Sequence, residues 1–134
     1  MSVKKIMSAN IVTVSMDDTI NVVYDIFSNL NFHHLLVVNQ DTLYGVVSDR
    51  DLLKATSPYI GTNIESDKDL ATLNKKVHQI MSRKPITLSI NADAYEAIEV
   101  FNNYNVSCIP IVDENNKAIG IVTWRDILKY IKQK

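Results

Sequence analysis

Excess positive charge, a second cysteine and any long apolar run are missing from this chain, and each absence closes a class of function. Its 134 residues hold 14 Lys and Arg against 15 Asp and Glu, a formal net charge of -1. Basic residues run no longer than pairs such as Lys4-Lys5 and Lys75-Lys76. The chain therefore offers no basic face for phosphate-driven nucleic-acid binding. The one cysteine, Cys108, has no partner for an internal disulfide. No apolar stretch reaches the roughly 18–20 residues that span a bilayer. The opening "MSVKKIMSAN" lacks the apolar core of a signal peptide. Together these absences point to the cytoplasm, with no membrane and no nucleic acid as partner.

What is present is ordinary for a globular protein, with 46% apolar and 22% charged residues. The length suits one domain or two half-size units folded together. The order of the residues favours the second. "VKKIMS" from Val3 returns as "VHQIMS" from Val77, "TVS" from Thr13 as "TLS" from Thr87, and "FSNLN" from Phe27 as "FNNYN" from Phe101. After a one-residue insertion near Lys117, "GVVSDRD" (Gly45–Asp51) aligns with "GIVTWRD" (Gly120–Asp126). About 16 of roughly 52 aligned positions are identical, which marks an internal duplication.

Each copy carries the same signals. Ile11–Ser15 and Ile86–Ser89 are short β-rich runs. Ile20, Val23, Tyr24, Phe27 and Leu30 fall at helical spacing, as do Ala94, Ala97, Ile98, Phe101 and Tyr104. Asp17 or Asp18, and Asn91 or Asp93, are the expected caps. Two strands follow around the polar turns "NQDT" and "DENNK", and a closing helix starts near Asp49 or Trp124. The fold class is α+β, built from two β-α-β-β-α repeats packed sheet to sheet about a pseudo-twofold axis. The first repeat covers residues 1–56 and the second 77–134, with a linker at 57–76. In the linker, "TSPYIGTNIESDKD" reads as loop. Leu70, Leu73, Val77 and Ile80 then predict one helix leading into the second repeat.

The paired motif admits two readings. Ser48-x-x-Asp51 and Thr123-x-x-Asp126 have the spacing of a helix capping box, which needs no ligand. The same geometry suits a nucleotide. A helix N-terminus attracts phosphate. A carboxylate one turn in can accept two hydrogen bonds from a ribose, and Arg50 or Arg125 can meet a phosphate.

The order of these motifs, with "VSCIP" at Val106–Pro110, resembles a tandem pair of cystathionine β-synthase (CBS) domains. The chain is similar to the small stand-alone bacterial proteins built from one such pair, often called a Bateman module. The resemblance implies a regulatory module without catalysis and without a required cofactor. It implies clefts between the two repeats for adenosine-containing ligands, namely AMP, ADP, ATP or S-adenosylmethionine. A homodimer and an unidentified regulated protein partner are implied too. Carried onto this sequence, one site takes Ser48, Arg50 and Asp51 from the first repeat. Its base wall comes from Lys84, Pro85, Ile86, Thr87, Ser107, Cys108 and Pro110 of the second. The other site takes Ile11, Val12, Thr13, His33 and His34 with Thr123, Arg125 and Asp126. That second site departs from the pattern, because His33 and His34 stand where Ser107 and Cys108 stand in the other copy. Leu36 replaces Pro110, and Trp124 replaces Asp49.

The alternative is a ligand-independent dimerisation or scaffold module that keeps the motif only as helix caps. A metal site at His33-His34 is disfavoured, since zinc wants three or four ligands and the only other histidine is His78. No spacing of a base to Ser, Thr or Cys argues for nucleophilic catalysis.

Overall fold

The computed structural model describes residues 1–133. The chain divides into two compact units that cut across the repeats of the sequence. The first unit holds Val12–Asn39 and Tyr44–Arg83. The second holds Met1–Ile11, Gln40–Leu43 and the chain from Lys84 onward. The protein is mixed α+β, with one sheet of four strands and one of three.

In the first repeat, β1 (Thr13–Val14) leads to α1 (Ile20–Asn29), then to β2 (His34–Asn39), β3 (Thr42–Ser48) and α2 (Asp49–Ala55). The linker forms α3 (Asp67–Ala71), and β4 (Ser82–Arg83) follows it. The sheet order is β1-β2-β3-β4, with β1 parallel to β2 and β4 antiparallel to β3. Gln40 and Asp41, at φ 50° and 69°, close the hairpin between β2 and β3. Two successive residues in the left-handed region define the turn whose twist matches paired strands.

The second repeat forms β5 (Leu88–Ser89), α4 (Ala94–Asn103), β6 (Cys108–Val112), β7 (Ala118–Thr123) and α5 (Trp124–Gln133). The sheet order is β5-β6-β7. On the far side of β7, Ser8 takes the place that β4 takes beside β3. Its N–H donates to the Ile121 carbonyl at 2.9 Å and its carbonyl accepts from the Ile121 N–H at 3.0 Å.

The opening segments explain why the units cross the repeats. Val3 N–H donates to the Ala92 carbonyl at 2.8 Å, and Ala94 N–H donates to the Met1 carbonyl at 2.8 Å. The same pair of bonds recurs in the first unit, from Val77 to Asp18 and from Ile20 to Lys75, each 2.8 Å. Each "IMS" segment thus docks at the start of the other repeat's first helix. Val77 is fully buried in a core with Val14, Ile20, Val23, Leu35, Val37 and Val47. Val3 is fully buried with Ala97, Phe101, Ile109, Ile111, Val122 and Ile127. Burying one valine contributes about 1.5–3 kcal/mol, so each segment is an integral part of the core it joins.

Three sequence expectations need correction. The predicted single helix through Leu70–Ile80 is broken into α3 and two 3₁₀ turns, Thr72–Asn74 and Val77–Gln79. The backbone there has other partners: besides the Val77 bond to Asp18, His78 N–H donates to Met16 at 3.1 Å. The cap of α1 is Thr19, not Asp17 or Asp18, and Asp18 instead accepts from Ser15 N–H at 2.8 Å. Asp93 does cap α4, in a reciprocal box with Glu96. Leu30 and Tyr104 turn outward at the helix ends, 48% and 56% exposed, because the backbone becomes extended there.

Candidate ligand-binding site

The two glycines that open the paired motif sit where a backbone passes close by. A Cβ on Gly45 would lie 2.8 Å from both Met81 Sδ and the Ser82 carbonyl oxygen. One on Gly120 would lie 2.5 Å from Met7 Sδ and 3.1 Å from the Ser8 carbonyl oxygen. Glycine lets each "IMS" segment cross its strand, and the strand then runs straight into the helix that carries the carboxylate.

In the first unit, Ser48 caps α2. Asp51 N–H donates to Ser48 Oγ at 3.1 Å, and Ser48 N–H donates to Asp51 Oδ2 at 2.8 Å. The capping box read from the sequence is therefore formed. It uses one carboxylate oxygen and leaves Oδ1 outside the box, while both side chains stay partly accessible. Arg50 is exposed beside them. In the second unit, Asp126 Oδ2 accepts from Thr123 N–H at 2.8 Å and from Thr123 Oγ1 at 3.2 Å. Arg125 is exposed there as well.

The strand register brings other predicted residues to the same ends. Cys108 lies opposite Thr123 in the β6–β7 ladder, so the segment Ser107–Pro110 begins beside the hydroxyl residue of its own repeat. Cys108 and Pro110 are buried and Ser107 is exposed. Lys84 takes φ +49°, a left-handed conformation uncommon outside glycine, and leads into half-buried Pro85, Ile86 and Thr87. In the first unit, Leu36 N–H donates to the Val12 carbonyl at 3.0 Å, which places Val12 and Thr13 against β2. Ile11 is half-buried in the second unit.

The two units differ at the start of their closing helices. Asp49 N–H donates to the His33 carbonyl at 3.0 Å, and His33 Nδ1 meets Asp49 Oδ2 at 2.9 Å. Trp124, which replaces Asp49, instead stacks on Phe101 with ring centroids 4.8 Å apart. Sequence reasoning treated Asp49 only as a variable position and missed this pair. The closeness of residues 33 and 49 emerges only once β2 and β3 lie side by side.

His34 is pushed below the ordinary histidine pKa, chiefly by burial. The Asp49 carboxylate opposes the shift, His33 adds to it, and Asp51 opposes it more weakly. As pH falls, the unfolded chain takes up this proton before the folded one does. Stability is therefore constant above the unfolded histidine value of about 6.5 and declines as pH drops through it towards the folded pKa. Urea midpoints at pH 7.5 and 5.5 should show a larger acid loss for wild type than for His34→Gln. Equal losses would refute this assignment.

A cleft the sequence did not announce opens beside Asp126. It measures about 340 Å³ and is lined by Lys5, Ser8, Asp126, Lys129 and Tyr130, among others. That volume falls at the small end of ligand pockets, enough for part of a nucleotide. Among the described residues no three His, Cys, Asp or Glu side chains gather to hold a metal ion. Among them, no helix is long and apolar enough to cross a membrane.

Comparison with known proteins now settles the family. A model of the CBS domain matches residues 3–57 and again residues 77–133, so the chain belongs to the CBS-domain family and carries the domain as a tandem pair. A CBS domain-containing protein of Dictyostelium discoideum is 34% identical over 94% of this chain and 88% of its own length. Inosine-5′-monophosphate dehydrogenase of Methanocaldococcus jannaschii is 31% identical over 93% of this chain, which spans only 22% of that enzyme. Among solved structures, protein MJ1225 of Methanocaldococcus jannaschii matches with TM-score 0.83 and 32% identity, over 99% of this chain and 50% of that one. The CBS domain pair of protein MJ0100, solved with 5′-methylthioadenosine and S-adenosyl-L-methionine, matches with TM-score 0.79 and 27% identity, over 98% and 99%.

Proposed function

We propose that this CBS pair is a regulatory module that binds an adenosine-containing ligand and passes its occupancy to a protein partner, without catalysing a reaction. The observation that carries the reading is the duplicated carboxylate. Asp51 and Asp126 each sit on the first turn of a helix, and each is tied to its cap through Oδ2. An oxygen outside that tie is placed to accept from the vicinal hydroxyls of a ribose. The likeness to the MJ0100 pair, whose structure contains two adenosyl compounds, supports the same ligand class here. In this reading Ser48, Arg50 and Asp51 work with Lys84–Thr87 and Ser107–Pro110. Ile11–Thr13, His33 and His34 work with Thr123, Arg125 and Asp126. A homodimer belongs to the reading as well, supported by Trp124, Leu128 and Ile131, which expose an apolar stripe along α5 at helical spacing. A single-chain mass by light scattering would remove that part.

The test is calorimetric titration of AMP, ADP, ATP and S-adenosylmethionine into wild type, Asp51→Ala and Asp126→Ala. Each substitution should remove one site or weaken it at least about tenfold, the loss of a charge-assisted hydrogen bond. The scaffold reading predicts no heat from any of the four. It also predicts variants that lose only about 1 kcal/mol of cap stability.

A further inference from the structure

Four described residues other than glycine take a left-handed backbone: Gln40, Asp41, Lys84 and Asn116. Gln40 and Asp41 turn the β2–β3 hairpin, and Asn116 lies in the turn between β6 and β7. Such turns favour the conformation, and Asp and Asn tolerate it better than most residues. Lys84 stands apart. It lies in no hairpin, and it precedes Pro85, whose ring biases the residue before it towards extended backbone. The repeat does not demand the conformation either. The duplication sets Asn10 against Lys84 and Ile11 against Pro85. Asn10 makes the same connection, from docking segment to first strand, without a positive φ. The side chain does not hold Lys84 in place, since it is exposed and its ammonium group has no ion pair or hydrogen bond among the described residues. The neighbours hold it instead: Arg83 is paired with Gly45 on one side, and Leu88 with Ile111 on the other. Strained backbone persists where its surroundings over-determine it, and it gathers at ligand sites.

We propose that Lys84 is a positioning residue that acts through its backbone. Its left-handed turn sets half-buried Pro85, Ile86 and Thr87 where the ligand's base is received, and its ammonium group takes no part in binding. The inference rests on the adenosyl reading above, and it gives Lys84 a different part from direct contact. It also separates the two sites of that reading. The wall that starts at Lys84 depends on a strained turn, whereas the wall that starts at Ile11 follows Asn10 and has no such dependence.

The experiment titrates AMP and S-adenosylmethionine into the full chain by calorimetry, comparing wild type with Lys84→Asn, Lys84→Ala and Lys84→Val. Asp51→Ala identifies which heat belongs to the site that uses this wall. Asn tolerates the left-handed turn, so Lys84→Asn should bind within about twofold of wild type although the charge is gone. Lys84→Ala should bind like wild type too, because alanine and lysine meet the same steric cost there. A β-branched residue is a genuine outlier at positive φ, so Lys84→Val should weaken binding at least about tenfold. Urea midpoints give a readout without ligand: Lys84→Asn should rise above wild type, Lys84→Ala should stay level and Lys84→Val should fall. The proposal is overturned if folded Lys84→Val binds as tightly as wild type. It is overturned equally if Lys84→Asn and Lys84→Ala lose as much affinity as Lys84→Val, which would make the ammonium group a direct contact. Should Lys84→Val fail to fold, Lys84→Asn decides alone: weakened binding or an unraised midpoint overturns the proposal. Those outcomes leave the adenosyl reading standing. If neither ligand binds wild type, both ideas fall together.

Discussion

Gly45→Ala should destabilise the protein by about 1–3 kcal/mol, read as a lower urea midpoint with an unchanged slope. The sign is the informative part. A glycine inside a strand weakens it, and an alanine placed without strain recovers about 0.4–1 kcal/mol from the unfolded state. Here there is no room to recover it. The new methyl would meet the Ser82 carbonyl oxygen at 2.8 Å. That oxygen belongs to β4, which pairs with β3 through Gly45 and Val46, so backbone must move and pairing must suffer. Gly120→Ala should cost less, because its closest obstacle is the flexible Met7 side chain and the Ser8 carbonyl stands off at 3.1 Å. A stabilised Gly45→Ala would mean that the "IMS" crossing is looser than described.

Val3→Asp should cost about 3–5 kcal/mol, the penalty for a buried charge with no partner. Where the damage appears matters more than its size. Val3 lies within the sequence of the first repeat, yet its neighbours are Ala97, Phe101, Ile109 and Val122. Hydrogen exchange should therefore lose protection first in α4, β6 and β7, since local opening follows local contacts. Val77→Asp should produce the mirror result, with α1, β2 and β3 opening first around Val14, Ile20 and Leu35. Damage to the mutated segment's own repeat in either case would contradict the exchange of opening segments.

These two variants also mark the boundary of what the residues disclose in order along the chain. Strand alternation and helical spacing depend on neighbours a few places apart, so both hairpins and all four repeat helices were legible. The capping box at Ser48 was legible for the same reason, as was the hold of Thr123 on the Asp126 carboxylate. The exchange of Val3 and Val77 was not. A valine that fills a core has the same local pattern whichever core it fills, and nothing at residue 3 names Ala92 as its partner. The linker helix failed similarly, since apolar spacing at Leu70–Ile80 could not register that Asp18 and Met16 would take the Val77 and His78 amides. Within the site, the pairing of His33 with Asp49 and the meeting of Lys5 with Asp126 and Lys129 join residues distant in sequence. Only sheet register and segment docking bring them together.

The crossing of the opening segments bears on how such a chain could arise. A lone repeat would own a docking segment with no place of its own to dock. It would also own a glycine notch and a strand edge with nothing to fill them. Two lone copies could complete each other, but only as fast and as fully as their concentration allowed. Joining them in one chain replaces that dependence with a fixed local concentration, about millimolar for a short flexible tether. The segment from Thr56 to Asn74 thus acts less as a spacer than as a guarantee that each half always finds its complement.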